Sequence, residues 1–380
     1  MSDALPMPYP WMGGKSAIAA RVWQALGGDC RNYVEPFLGG GAMLLARPEP
    51  FEGVETVNDV NAHISNFWRA VQAEPDAVAE HCDQPVSELD LHAWGNAIFY
   101  PERHPVGIVP GNDYAAWVER QRHDPTYYDV RIAGRWAWGQ SIWIGDNWGR
   151  MAHNAKKVNG VAVGVVEAAP DMYSSKGIAR RSHRVEQNLP DCGHAGKGLA
   201  RASMHRKMPA IGNVIEGRCG VATSGAEVGG VRAYLAALSA RIRRVRVCCG
   251  DWSRVMGPSV LYGPGTPCAV FLDPPYASTD RDSVYGEYED FDVAHDVRAW
   301  CLANGADARL RIVLAGYAGE HDDLVAAGWQ CLAWKAKGGY GNQSADGNAN
   351  RHRERLWLSP HCRHEEDLFA TTPTTTREPA

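Results

Sequence analysis

The sequence predicts an α/β protein with a doubly wound, largely parallel sheet, and three observations carry that prediction. Short apolar runs alternate with amphipathic stretches at both ends of the chain. A glycine-rich turn follows the first apolar run directly. The regular pattern fails through the middle and returns near residue 229, so one α/β domain is split by an insertion.

Taken in order, KSAIAARVWQALGG places Ile18, Val22 and Leu26 on one helical face, with Gly27 and Gly28 as a stop. NYVEPF is a short buried strand and VETVND a second one. NAHISNFWRAVQ is a helix capped by Asn61, with Ile64, Trp68 and Val71 on one face. From about 76 to 228, Pro, Gly, His and Asn punctuate the text and read as irregular structure. VRAYLAALSARI then aligns Val231, Leu235, Leu238 and Ile242. RVRVCCGDW and CAVFLD are strands, VAHDVRAWCLANG a helix, RIVLAG a strand, EHDDLVAAG a short helix and RERLWLS a last strand. The boundaries are therefore 1–75 and 229–360 for the split domain, 76–228 for the insertion and 361–380 for a disordered tail.

Composition narrows the class. Of 380 residues, 45% are apolar and 22% charged, and no apolar stretch reaches the length of a membrane span. The N-terminus lacks a secretory pattern, so a cytoplasmic protein is expected. Ten cysteines with no C-x-x-C pair read as reduced, mostly buried thiols, and no metal is expected. The net charge of −5 hides a local reversal. Between 151 and 220 there are eleven Lys and Arg against five Asp and Glu. Lys156, Lys157, Arg180, Arg181 and Arg184 are the candidates there for phosphate or base contacts.

Four motifs carry chemistry. Glu35-Pro36-Phe37-Leu38-Gly39-Gly40-Gly41 follows a strand, where open α/β sheets bind ligands, and it lacks the G-x-G-x-x-G spacing of a dinucleotide fingerprint. Asn58-Asp59 ends the next strand, 18 positions after Gly41, a spacing suited to a ribose-binding carboxylate. Asp273-Pro274-Pro275-Tyr276 follows AVFL. A carboxylate and a stiffened backbone carbonyl there can accept both hydrogens of an exocyclic amine and turn its lone pair outward, while Tyr276 offers a flat face to a base removed from its stack. Trp11-Met12-Gly13-Gly14-Lys15 combines glycines ahead of a helix with a cation, an arrangement suited to an anion.

The ordered set PWMGGK, YVEPFLGGGAM, VNDVN and FLDPPY resembles the DNA adenine methylase (Dam-type) family, the α-arranged N6-adenine-specific DNA methyltransferases. WGQSIWIG is loosely similar to phage-borne members. The similarity covers roughly 1–72 and 245–358. It implies a Rossmann-like methyltransferase fold using S-adenosylmethionine, with 76–228 as an inserted target-recognition region. It implies that Trp11, Gly14 and Lys15 meet the cofactor, Lys15 near its methionine carboxylate. Glu35, Pro36, Phe37 and Gly39 would shape the cofactor pocket, and Asp59 would hold the ribose. Asp251 would lie near the cofactor adenine. Asp273 would serve the methionine end and the target amine, with Pro274, Pro275 and Tyr276 completing the catalytic loop. Double-stranded DNA is the implied partner, in a bacterial cell or phage-infected host, with a companion restriction enzyme and a monomer or weak dimer as open questions.

The middle of the chain departs from the family by its length and its Trp and Gly content, which leaves the recognition sequence unread. Trp136, Trp138, Trp143 and Trp148 are expected to form core rather than a DNA wedge. A nicotinamide oxidoreductase is disfavoured, because the glycine pattern is wrong for it and Asp273-Pro274-Pro275-Tyr276 would go unexplained. A methylase acting on carbon 5 of cytosine needs a nucleophilic cysteine, and Pro267-Cys268 leads into a strand where the thiol would be buried. An N4-cytosine methyltransferase shares the mechanism, but such enzymes more often carry Ser where Asp273 stands. A non-catalytic DNA-binding protein retaining the fold is the alternative of another class, and the intact set Lys15, Asp59, Asp273 and Tyr276 weighs against it.

Overall fold

The computed structural model describes residues 5–11, 13–101, 108–142, 230–276, 291–334 and 352–363, and the backbone of two short strands at 157–158 and 161–162. The strands are β1 (Asn32–Glu35), β2 (Val54–Asp59), β3 (Lys157–Val158), β4 (Val161–Ala162), β5 (Arg246–Cys249), β6 (Cys268–Leu272), β7 (Leu310–Tyr317), β8 (Gln330–Ala333) and β9 (Glu354–Leu358). Seven of them form one sheet in the order β5-β2-β1-β6-β7-β9-β8. All run parallel except β9, which is antiparallel to both neighbours. This mixed α/β architecture with a mostly parallel sheet agrees with the expected fold class. β3 and β4 make a separate ribbon.

The sequence of β6, CAVFL, shows why the sheet sits at the centre. Every residue in it is buried. Ala269 and Phe271 face one core with Tyr33, Val57, Val313 and Leu356, while Cys268, Val270 and Leu272 face the other with Val34, Ile312 and Leu314. A strand buried on both faces reads as a continuous apolar run. The first core is closed by α1 (Ala19–Leu26), α2 (Ala42–Leu45), α3 (Ala62–Ala73) and other helices; the second is closed by elements from the C-terminal half. Asn61 caps α3 as expected, its side chain accepting from the His63 amide at 3.0 Å.

The stretch after 75 differs from its irregular reading. It forms α4 (Pro75–Cys82), α5 (Glu88–Phe99), α6 (Tyr114–His123) and α7 (Val130–Ile142), and these helices share the first core. Their starts are marked by Pro75 and by caps from Ser87, Asp113 and Asp129. Gly134, inside α7, serves close packing: a Cβ there would lie 2.4 Å from His81 Cβ and 2.7 Å from the Val78 carbonyl of α4. Trp136 and Trp138 are 1% exposed, so for these two the core reading holds; Trp143 and Trp148 lie outside the described residues. The chain re-enters the same unit at α8 (Gly230–Ile242), where Arg241 reaches Glu55 of β2 at 2.8 Å and Arg47 meets the same carboxylate at 2.6 Å.

Short α9 (Pro258–Leu261), α10 (Phe291–Asn304) and α11 (Asp322–Ala326) cover the second face through Leu261, Val297, Cys301 and Leu324. Two further differences emerge at the end of the chain. β8 was not anticipated, and the tail does not begin at 361: Cys362 is buried and the Arg363 amide donates to the Ala25 carbonyl at 2.8 Å. Residues 364–380 lie outside the described residues. All described cysteines are free thiols, with Cys249 and Cys268 fully buried. No described helix is long and apolar enough to cross a membrane.

Candidate active site

The strand order reverses between β1 and β6: the chain proceeds from β1 to β2 on one side, and β6 is followed by β7 on the other. In open α/β sheets the crevice outside the carboxyl ends at such a point receives ligands. Here β1 ends at Glu35 and runs into the glycine turn, and β6 ends at Leu272 and runs into Asp273-Pro274-Pro275-Tyr276. The two strongest motifs therefore flank one crevice because their strands are hydrogen-bonded neighbours.

The glycine turn is tied from below. The Leu38 amide donates to the Asn58 carbonyl at 3.0 Å, and the Gly41 amide to the Leu38 carbonyl at 2.8 Å. Gly39 and Gly41 have φ of +50° and +72°, which favours glycine. At Gly39 there is also a close approach, since a Cβ would stand 2.6 Å from the Trp11 indole nitrogen. Tyr9, a residue the sequence did not single out, donates its hydroxyl to the Gly39 carbonyl at 2.9 Å and accepts from the Trp68 indole at 3.0 Å. Trp11 and Gly14 lie in the preceding turn, closed by the Gly14 amide on the Trp11 carbonyl at 3.3 Å.

Asp59, half-buried at the end of β2, accepts from the Gly39 amide on one oxygen and from the Asn61 amide on the other, both at 2.9 Å. Each oxygen keeps a second lone pair for a ligand. Burial pushes its pKa up to about 6, against the pull of those two amides. Asn58 is an internal brace: its amide nitrogen donates to the Pro36 carbonyl at 3.1 Å and to the Gly250 carbonyl at 2.9 Å, joining the loops after β1 and β5 to β2. Beyond that brace Phe37 stacks loosely on Trp252, with centroids 6.2 Å apart and planes at 25°. Trp252 was missed by the sequence reading, although it follows Asp251 directly. Asp251 itself is exposed and caps the turn after it, accepting from the Ser253 amide at 2.9 Å and from its hydroxyl.

Glu35 lies under the turn, 2% exposed, and accepts from the Tyr33 hydroxyl at 2.8 Å. Burial raises its pKa to about 8, while the Tyr33 hydrogen bond opposes the rise. The folded chain thus holds this proton up to about pH 8, whereas an unfolded glutamate releases it near 4.5. Between those values the folded state binds one proton more, so the contribution to stability is fully present below pH 4.5 and is lost as pH rises through 8. Glu35→Gln removes that slope. Its stability relative to the natural protein is expected to rise by on the order of 4 kcal/mol from pH 5 to pH 8. Denaturant melts across that range check this, and parallel pH profiles would contradict it.

On the other side of the crevice, Lys15 is 4% exposed and its ammonium lies 2.9 Å from both oxygens of Asp273 and 2.8 Å from the Gly13 carbonyl. The same ammonium stands 5.2 Å from the centre of the Tyr276 ring. Tyr276 is 6% exposed, packs edge to face on Tyr317 at 4.6 Å, and its hydroxyl lies 3.2 Å from Asp273 and 3.0 Å from Glu354. Pro274 is buried and Pro275 half-buried. Glu354 and Tyr317 were also missed by the sequence reading. Of the expected DNA contacts, Lys156, Arg180, Arg181 and Arg184 lie outside the described residues, and only the backbone of Lys157 is described, in β3.

Residues 11–104 match the family model of the D12 class N6 adenine-specific DNA methyltransferases. The match takes in the Trp11–Lys15 turn, the glycine turn and Asp59, and it bears out the family resemblance read from the motifs. The chain is also 27% identical over 89 residues to the Type II methyltransferase M.CviBI of Paramecium bursaria Chlorella virus NC1A. That alignment covers 22% of this chain and 34% of the relative, so the chain spans about a third of the length of the curated relative it matches.

Proposed function

We propose that the protein is a site-specific DNA methyltransferase that carries a methyl group from S-adenosylmethionine to the N6 amine of adenine in duplex DNA. The observation that supports this most is the meeting of Asp273-Pro274-Pro275-Tyr276 with Lys15 and the glycine turn at one switch point of the sheet. The match to an adenine-specific family over 11–104 supports the same base.

The residues present fit the cofactor. Gly39 lets the Trp11 indole close in on the glycine turn, Asp59 retains acceptor capacity beside it, and Phe37 with Trp252 gives an aromatic wall for a purine. In this reading Asp59 holds the ribose, Trp11, Gly14 and Lys15 the methionine end, and Glu35, Pro36, Phe37 and Gly39 shape the pocket, with Asp251 at the adenine end. When bound, S-adenosylmethionine supplies a methyl group on a sulfonium, which needs no further activation.

The chain has to supply orientation. Asp273 and the carbonyl of the Pro-Pro loop accept the two hydrogens of the extruded adenine amine, which draws the nitrogen out of conjugation and aims its lone pair. Lys15 holds Asp273 in place through both of its oxygens. Tyr276 bounds the base pocket. The nitrogen gains the methyl and gives up one proton. Residues 76–228 serve as target-recognition region, with Lys156, Lys157, Arg180, Arg181 and Arg184 on the phosphates or base edges. The beginning of that region is helical and built into the catalytic core, so its DNA grip falls to the basic stretch from 151 to 220. An intracellular setting with access to DNA follows.

The test is transfer of labelled methyl to unmethylated genomic DNA, with RNA as control. Label in DNA is the expected outcome, and sequencing then gives the recognition site. Label in RNA alone, or tight cofactor binding without transfer, contradicts the reading.

A further inference from the structure

We infer that Glu354 is a positioning residue: it takes the phenolic proton of Tyr276 and so keeps Asp273 an acceptor for the target amine. This rests on the proposed amino-methyltransferase reading.

The topology explains how a residue so far along the chain comes to the site. The parallel strands all end on the edge of the sheet that holds the crevice, and the central ones deliver residues there from their carboxyl ends. β9 alone runs the other way, and its first residue, Glu354, arrives at the same edge. Register pairs Glu354 with Tyr317, the last residue of β7. Tyr317 in turn packs edge to face on Tyr276. Glu354 is 8% exposed, and its Oε2 is 3.0 Å from the Tyr276 hydroxyl.

A phenol has one proton to donate, and here two carboxylates stand within reach of it. Asp273 is paired with Lys15 through both oxygens. If the phenol also donated to Asp273, it would occupy a lone pair that the substrate amine needs and would weaken the carboxylate as an acceptor. Donation to Glu354, the shorter contact, avoids this. It also anchors the tip of the Tyr276 ring, which Tyr317 packs against edge to face and over which the Lys15 ammonium lies. Glu354 touches neither amine nor methyl in this arrangement; it acts through Tyr276.

Two measurements test this. In the first, 3,5-difluorotyrosine is placed at position 276 and its ionisation followed by fluorine NMR, the fluorines bringing the phenol into a pH range where the chain stays folded. A phenol donating to an adjacent carboxylate ionises late, so Glu354→Ala is expected to lower the midpoint by about one pH unit. In the second, single-turnover methyl transfer is measured at saturating cofactor. Glu354→Ala is expected to slow it about tenfold with the cofactor KM unchanged, and Glu354→Gln, which still offers an oxygen, to recover to within about threefold. In a Tyr276→Phe background the alanine substitution is expected to cost nothing further. An unchanged midpoint, or the same loss in both backgrounds, overturns the inference. A natural protein that transfers no methyl overturns the reading beneath it instead, and the titration, which needs no activity, still decides the hydrogen bond.

Discussion

Asp273→Ala is expected to abolish methyl transfer, by roughly a thousandfold or more, while leaving DNA affinity nearly unchanged. A loss of that size corresponds to about 4 kcal/mol of transition-state stabilisation, the scale of removing a preorganised polar partner from a reacting group. DNA affinity survives because it comes mostly from phosphate contacts rather than from the base pocket. The same substitution has a structural consequence. Lys15 is 4% exposed and pairs with Asp273, so alanine strands a buried ammonium at a cost of about 3 kcal/mol. Asp273→Asn keeps an oxygen for Lys15 and separates the two effects: transfer is lost and most stability is kept. Single-turnover rates, DNA binding and denaturant melts on both variants check this. DNA affinity falling in step with activity would point to a binding role for Asp273.

The second large effect is expected at Asp59. Alanine removes the acceptor of two backbone amides, from Gly39 and Asn61, and with it the carboxylate proposed to hold the ribose. Loss of a hydrogen bond to a charged group costs about 1.5–3 kcal/mol, so cofactor affinity should fall roughly 10–100-fold. The pH dependence gives a sharper signature. With a pKa of about 6 in the unliganded chain, Asp59 is ionised above that value and protonated below it. Affinity for the cofactor is therefore expected to weaken as pH falls from 7 to 5, and the slope should vanish in Asp59→Ala. Calorimetric titration across that range measures both. Equal slopes in the two proteins would remove Asp59 from the cofactor site.

The legible parts of the molecule were those written in short stretches of sequence. β6 and β7 appear as apolar runs because they are buried on both faces, and the turns after β1 and β6 carry their own markers, glycines in one and prolines in the other. The helices α4 to α7 were hidden by residues that serve packing rather than turns. Gly134 reads as a breaker but lets α7 lie against α4, and the buried Trp136 and Trp138 blur any apolar stripe. β8 was hidden for the opposite reason: as an edge strand, with Gln330, Cys331 and Ala333 exposed, it shows no inward-facing alternation.

At the site the same division holds. Lys15, Asp59 and Asp273 stand in motifs and could be named. Glu354, Tyr317, Tyr9 and Trp252 reach the site only through register, a strand reversal or a stacking contact, and no local pattern marks them. Asn58 was visible as part of a pair, but its work in joining the Pro36 and Gly250 carbonyls depends on β2 lying between β1 and β5.

The methyl group is expected on the exocyclic N6 of adenine. The most direct test is nucleoside analysis of DNA labelled by the protein from methyl-labelled S-adenosylmethionine, run beside Asp273→Asn. Label is expected in N6-methyladenine, with none from the variant. Label in N4-methylcytosine would contradict the assignment of the base, and label that persists in Asp273→Asn would contradict the mechanism.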